Sequence, residues 1–240
     1  MSDFSNYVLS RHAMIDARGR RHEIHSCDQL MELIQHMGFL PLLEGGIPGY
    51  CAEGVLDDDC RFTRFDDGSW VWPLWQWKSV IVTEGNCVYG KFFAGKAGFI
   101  SQEWWPHFYN WRRSVHRQPE PGTIEDTILT ILRSNGSMIA RQLRAACGFT
   151  GSKMRSRFDS YIGRLQMECR IVTEDFVYPR DKHGREYGFG WSLLTTPELL
   201  LGTDACHCDL TPEQSYSKML NHLAALLPDA TETQIAKLLK

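Results

Sequence analysis

The 240-residue chain has no Cys-x-x-Cys pair, no Gly-x-Ser-x-Gly elbow, and no apolar run approaching the length of a membrane span. The eight cysteines are scattered through ordinary globular sequence, so they read as reduced thiols and not as a disulfide framework. Without the elbow, a serine hydrolase of that type loses its signature, and sequence order alone certifies no Cys–His pair. The polar start Met1-Ser-Asp-Phe-Ser-Asn lacks the apolar core of a secretory signal, so the expectation is a cytoplasmic protein with no membrane partner. No internal repeat is present, which excludes a solenoid.

Charge of one sign is also missing. A formal net charge of −3 argues against indiscriminate binding of polyanions. The partition is informative: residues 112–185 hold 14 Lys and Arg against 8 Asp and Glu, whereas residues 23–67 hold 2 against 10. The acidic run Asp57-Asp58-Asp59 cannot turn three consecutive carboxylates to one point, so it reads as a solvated loop. At 43% hydrophobic, the chain can bury a core as one large domain or two small ones.

Residues 119–197 carry the clearest pattern. Thr123 is placed to cap a helix over 123–133, with Glu125 and Asp126 in its first turn and an apolar face of Ile124, Ile128, Leu129, Ile131 and Leu132. Ser137 can cap a second helix carrying Met138, Ile139, Leu143 and Ala146, which Gly148 stops. A third helix, 153–166, has Met154, Phe158, Tyr161 and Leu165 on one stripe. Lys153, Arg157, Ser160 and Arg164 lie on a parallel stripe, with Arg155 close by. Two β-branched and aromatic runs, 169–178 and 187–194, then flank a charged hairpin tip bearing Arg180, Lys182 and Arg185.

This is the order of a winged helix-turn-helix within an α+β chain. The basic helix can donate to phosphates and to acceptor edges in a major groove, and the wing cations can contact the neighbouring backbone. The partner expected from this pattern is double-stranded DNA. The competing reading is a regulatory or protein-docking module, because winged helices also dimerise and dock.

The remaining segments divide into a basic arm at 1–22 (Arg11, Arg18, Arg20 and Arg21 around Gly19), an aromatic-rich α+β domain at 23–118, and C-terminal helices at 198–240. In the aromatic domain, Ser26 caps a helix over 27–37. Residues 80–82 and 87–93 look like strands, and Ser101 is placed to cap a helix over 102–109. Seven of the 8 Trp lie between Trp70 and Trp111; these rings read chiefly as core or interface, with base stacking as the alternative use. Thr211-Pro-Glu-Gln214 has the components of a capping box. The apolar face of the tail can dock back on the domains or pair with a second copy as a homodimer. Cys206-His207-Cys208 has a one-residue gap that suits structural zinc poorly, and no metal or cofactor is expected.

Three stretches together resemble a known family: Val88-Tyr-Gly-Lys-Phe-Phe-Ala-Gly-Lys-Ala-Gly-Phe-Ile-Ser-Gln-Glu-Trp-Trp-Pro106, Leu165-Gln-Met-Glu-Cys-Arg-Ile-Val-Thr-Glu-Asp-Phe176, and the hairpin end Gly184-Arg-Glu-Tyr-Gly188. The chain is similar, over about residues 30–197, to bacterial AlkZ-related proteins, relatives of winged-helix DNA glycosylases that remove alkylated or crosslinked bases. The resemblance implies DNA binding, with specificity for damaged or distorted sites and a role in repair. The glycosylases use a Gln-apolar-Gln or Gln-apolar-Asp tripeptide to position water and stabilise the sugar cation. The analogue here is Gln166-Met-Glu168, with Glu in the last position and at the end of the third helix instead of in the N-terminal module. An active monofunctional glycosylase would rest on Gln166 and Glu168; otherwise both are solvent-facing helix-end residues.

Overall fold

The computed structural model describes residues 7–10, 13–16 and 21–240. Strands β1 (Tyr7–Ser10), β2 (Ala13–Asp16) and β3 (Arg21–His22) pair antiparallel, so the basic start contains a hairpin. Arg11, Arg18, Gly19 and Arg20 lie outside the described residues.

Ser26 accepts a hydrogen bond from the Gln29 N–H, and Gly38, at φ 74°, closes helix α1 (Cys27–Met37). The buried face of α1 is Leu30, Leu33, Ile34 and Met37. The following apolar run forms β4 (Phe39–Pro41), an edge strand, where Pro41 is tolerated. After the short helix α2 (Ala52–Val55), β5 (Thr63–Arg64) and β6 (Trp70–Val71) form a small exposed hairpin.

Residues 80–82, expected as a strand, belong instead to helix α3 (Pro73–Glu84). Pro73 starts the helix, and Leu74, Lys78 and Ile81 are buried at helical spacing. Packing of that face outweighs the β preference of three residues. Strands β7 (Cys87–Phe93) and β8 (Lys96–Ser101) follow, joined by a turn with both Ala94 and Gly95 at positive φ. Ser101 ends β8 instead of capping a helix, and α4 (Trp105–Val115) begins with Pro106 in its first turn.

Helix α5 (Ile124–Asn135) has the expected Thr123 cap. The next helix is shorter than its apolar pattern predicts, because Met138 and Ile139 form β9 and pair with Leu194 and Leu193. Helix α6 (Ala140–Ala146) then begins without a side-chain cap, and the Ser137 hydroxyl donates to Glu174 instead. Helix α7 (Arg155–Met167), β10 (Val172–Val177) and β11 (Trp191–Thr195) complete this part. All neighbouring strands of the six-stranded sheet β4-β8-β7-β10-β11-β9 run antiparallel. The sheet therefore takes strands from both sides of residues 118 and 119, with Thr173 of β10 opposite Tyr89 of β7.

Two apolar clusters fill the molecule. One gathers Ile128, Leu132, Leu143, Phe158, Leu165 and Leu194 under α5, α6 and α7. The other joins α1, the β7–β8 hairpin and the tail. The tail is formed by α8 (Pro197–Leu201), α9 (Pro212–Leu226) and α10 (Glu232–Leu238), and α9 and α10 both start with complete capping boxes. Its buried Met219, Leu223, Ile235 and Leu238 dock on the same chain, and Trp111 meets Tyr216 with ring centroids 4.6 Å apart. Arg112, 1% exposed, ties the parts together by donating to the carbonyls of Met167 (2.7 Å), Leu239 (3.3 Å) and Phe92 (3.3 Å). Among the described residues no helix is long and apolar enough to cross a membrane.

Candidate nucleic-acid interface

Helix α7 buries Phe158, Ile162 and Leu165 and turns Arg155, Arg157, Ser160 and Arg164 outward. Lys153 is exposed in the 3-10 turn that leads into it. Arg164 forms an ion pair with Glu125 of α5 at 2.8 Å, and Arg155 approaches Asp159 at 3.7 Å. Ser160 donates its hydroxyl to the Ser156 carbonyl, a local bond that leaves its acceptor capacity unused. Lys153 and Arg157 have no ion pair among the described residues, so they are the cations most available to a phosphate.

The charged hairpin tip is organised by Asp181, whose carboxylate accepts from the backbone N–H of His183 (2.7 Å) and Arg185 (2.9 Å). All three expected wing cations are exposed. Two are engaged within the hairpin: Arg180 pairs with Glu186 at 3.2 Å, and Arg185 lies 3.8 Å from Asp181. Lys182 alone has no acid partner among the described residues.

Gln166 and Glu168 have different partners. Gln166 is buried, 3% exposed, and its amide donates to Thr173 Oγ1 at 3.2 Å. It is thus not the solvent-facing residue its place near a helix end allows. Glu168 instead pairs at 2.8 Å with Arg170, a guanidinium that also donates to the His116 and Arg117 carbonyls. Residues two apart on a helix start from different faces, and the buried Arg170 guanidinium claims the Glu168 carboxylate.

Gln166 lines a cavity of ≈ 430 Å³ between α3, α7, β7 and β10. Lys78 of α3 lies in its wall and is fully buried. Its Nζ stands 3.4 Å from the Trp75 ring centroid and 3.5 Å from that of Phe176. No hydrogen bond or ion pair reaches this amine among the described residues. Burial lowers its pKa from 10.5 to about 7, because the surroundings disfavour the ammonium. A larger cavity, ≈ 820 Å³, lies near α2, but its cations are already engaged. Arg61 donates to the Leu56 and Gly54 carbonyls, and Lys96 donates to that of Glu44.

Aromatic rings lie between this cavity and the charged hairpin. Trp70 stacks on Phe189 with centroids 5.7 Å apart, and Trp72 on Trp75 at 4.8 Å. Trp75 Nε1 donates to the Phe189 carbonyl. As expected, Trp104 and Trp105 are core and Trp72, Trp75, Trp77 and Trp111 pack partly against it, whereas Trp70 is 43% exposed.

The Cys206-His207-Cys208 motif is dispersed. Cys206 is buried, His207 lies beside Asp209, and Cys208 Sγ lies 3.1 Å from Nδ1 of His107, 101 residues away in sequence. Lys218 Nζ approaches the other nitrogen of that ring at 2.8 Å. Burial, then Lys218, lower the His107 pKa. Within the acidic run, Asp57 accepts from the Asp59 N–H and comes within 3.9 Å of His25, while Asp58 pairs with Arg61 at 3.0 Å.

Fold and site together define a mixed helix-and-sheet protein in which an exposed basic helix and a charged hairpin lie beside an aromatic-walled cavity. A family model described as AlkZ related matches residues 24–240, and the chain belongs to that family. The match extends the likeness seen in the sequence through the C-terminal helices. No curated protein and no solved structure gives a significant match.

Proposed function

We propose that the chain is a winged-helix protein that binds duplex DNA through α7 and the wing, with preference for damaged or distorted sites. The element order α5, β9, α6, α7, β10, β11, with β9 against β11, supports the winged-helix reading. The observation that carries DNA binding is the outward stripe of Arg157, Ser160 and Arg164, continued by Lys153, on a helix whose opposite face is anchored in the core. Membership of the AlkZ-related family gives the same direction.

A second reading, monofunctional excision of alkylated bases, is favoured by one feature, the Gln166 amide in the cavity wall behind α7. Glu168 supports it less, because its carboxylate is held by Arg170. Incubating the purified protein with duplexes carrying alkylated bases, and scoring both retention and free base, tests the two together. Equal retention of intact and alkylated duplex would overturn the preference for damage, and no retention of either would overturn DNA binding.

A further inference from the structure

Lys78 is the feature that the DNA-binding reading does not use. It is a buried wall residue of the cavity whose amine, set between the Trp75 and Phe176 rings, has no hydrogen bond and no carboxylate partner among the described residues. The charged groups on the cavity wall are Lys91 of β7 and Asp159 of α7, both exposed at the mouth, and Tyr89 is the wall's other titratable group, its pKa raised by burial. Asp175, next to Phe176, is engaged by the Ser79 hydroxyl and the Phe176 N–H. Exposed Leu43 and Phe189 also line the cavity, which places its mouth beside the wing.

A structural lysine is normally paired or extends its head to water. The two ring faces favour the Lys78 cation, but burial in a mostly apolar cavity without a counter-charge disfavours it more, and the neutral amine that results is the form that attacks carbonyl carbon. We propose that Lys78 is an imine-forming amine, and that the cavity admits an aldehyde carbon to it. With a pKa near 7, a large share of the amine is neutral at neutral pH. The Nζ lone pair adds to the aldehyde carbon as the carbonyl π pair moves to oxygen. Two nitrogen protons leave with that oxygen as water, and a C=N bond remains. Trp75 and Phe176, which sandwich Nζ, must part to admit the carbon.

Two sources supply such a carbon. One is the ring-opened sugar of an abasic site in DNA held on α7, which rests on the DNA-binding reading; the other is a small free aldehyde. The test incubates the full chain with borohydride and either a duplex carrying one abasic site or butanal, then maps adducts by peptide mass spectrometry. Duplex retention is measured separately. The expected result is a reduced adduct on Lys78, with a yield that rises with pH into the neutral range and then levels off. The adduct should be absent in both Lys78→Met and Lys78→Arg; the second keeps bulk and charge but cannot form the imine. An adduct from the duplex assigns the abasic sugar, and one from butanal alone assigns a small carbonyl. No Lys78 adduct in either arm overturns the proposal, and if duplex is still retained the DNA-binding reading survives. Lost retention with a Lys78 adduct from butanal leaves the amine assigned and removes the DNA reading.

Discussion

Gln166 donates to Thr173 Oγ1 at 3.2 Å, and Thr173 stands opposite Tyr89 across the β10–β7 pair. One buried amide thus couples the end of the basic helix to the strand that joins the two halves of the sheet. Thr173→Val keeps the shape and removes the acceptor, leaving the Gln166 amide without it. The expected cost is about 1–3 kcal/mol by denaturant unfolding, and an unchanged midpoint would show the bond to be dispensable.

Replacing Lys153 and Arg157 together by Ala should weaken duplex binding several-fold while moving the melting temperature little, since both side chains are exposed and outside any ion pair among the described residues. Adding Arg164→Ala should weaken binding further and cost at most about 1 kcal/mol of stability, because its pair with Glu125 is half exposed. Titration of labelled duplex at fixed salt decides this, and full affinity in the folded triple variant would remove α7 from the interface.

At the wing, the salt dependence of binding separates a free cation from paired ones. Lys182→Ala should lower the slope of log affinity against log salt by about one. Arg180→Ala and Arg185→Ala should each lower it less, because each guanidinium is already engaged by an acid, Glu186 or Asp181, and so displaces fewer counterions. Equal effects at all three positions would mean that the intrahairpin pairs open on binding.

Lys78 predicts a pH dependence of stability. Its proton is held less tightly in the folded chain, with a pKa of about 7, than in the unfolded chain, where the ordinary 10.5 applies. Between those values the unfolded chain binds more protons, so the residue's contribution to stability rises with pH from about 7 to about 10, and it is least favourable below 7. Lys78→Met should therefore stabilise the fold most below neutral pH, with the gain shrinking toward pH 10. A gain independent of pH would show that the amine titrates normally.

Arg112→Met leaves two buried carbonyls, of Leu239 and Phe92, and the part-buried one of Met167 without their donor. The loss should be about 3–5 kcal/mol by chemical denaturation. A loss below about 1 kcal/mol would show that water replaces the guanidinium.

The parts of this fold that were legible in the sequence are those set by neighbours along the chain. Helix α1, between Ser26 and Gly38, begins and ends where expected, and the Thr211 capping box is complete. Helix α3 was not legible, because its β-branched 80–82 segment resembles a strand until its packing against β7 and β10 is known. The same strand-like segment masks Lys78. At positions 74, 78 and 81 it interrupts an otherwise apolar helical face, a signal that exists only once the segment is read as helix. Cys208 and His107, like Trp75 and Phe189, are brought together from distant segments, and no spacing rule anticipates such pairs.

The stacking of Trp70 on Phe189 gives the molecule an optical reporter of its own. Trp70 is 43% exposed, and the ring it leans on belongs to the loop between the wing tip and β11. Any ligand that displaces that loop changes the polarity around Trp70 and frees the Trp75 indole that donates to the Phe189 carbonyl, while Trp104 and Trp105 stay sealed in the core. Iodide quenching of the emission can then follow engagement of the wing without an attached dye, with Trp70→Phe supplying the background.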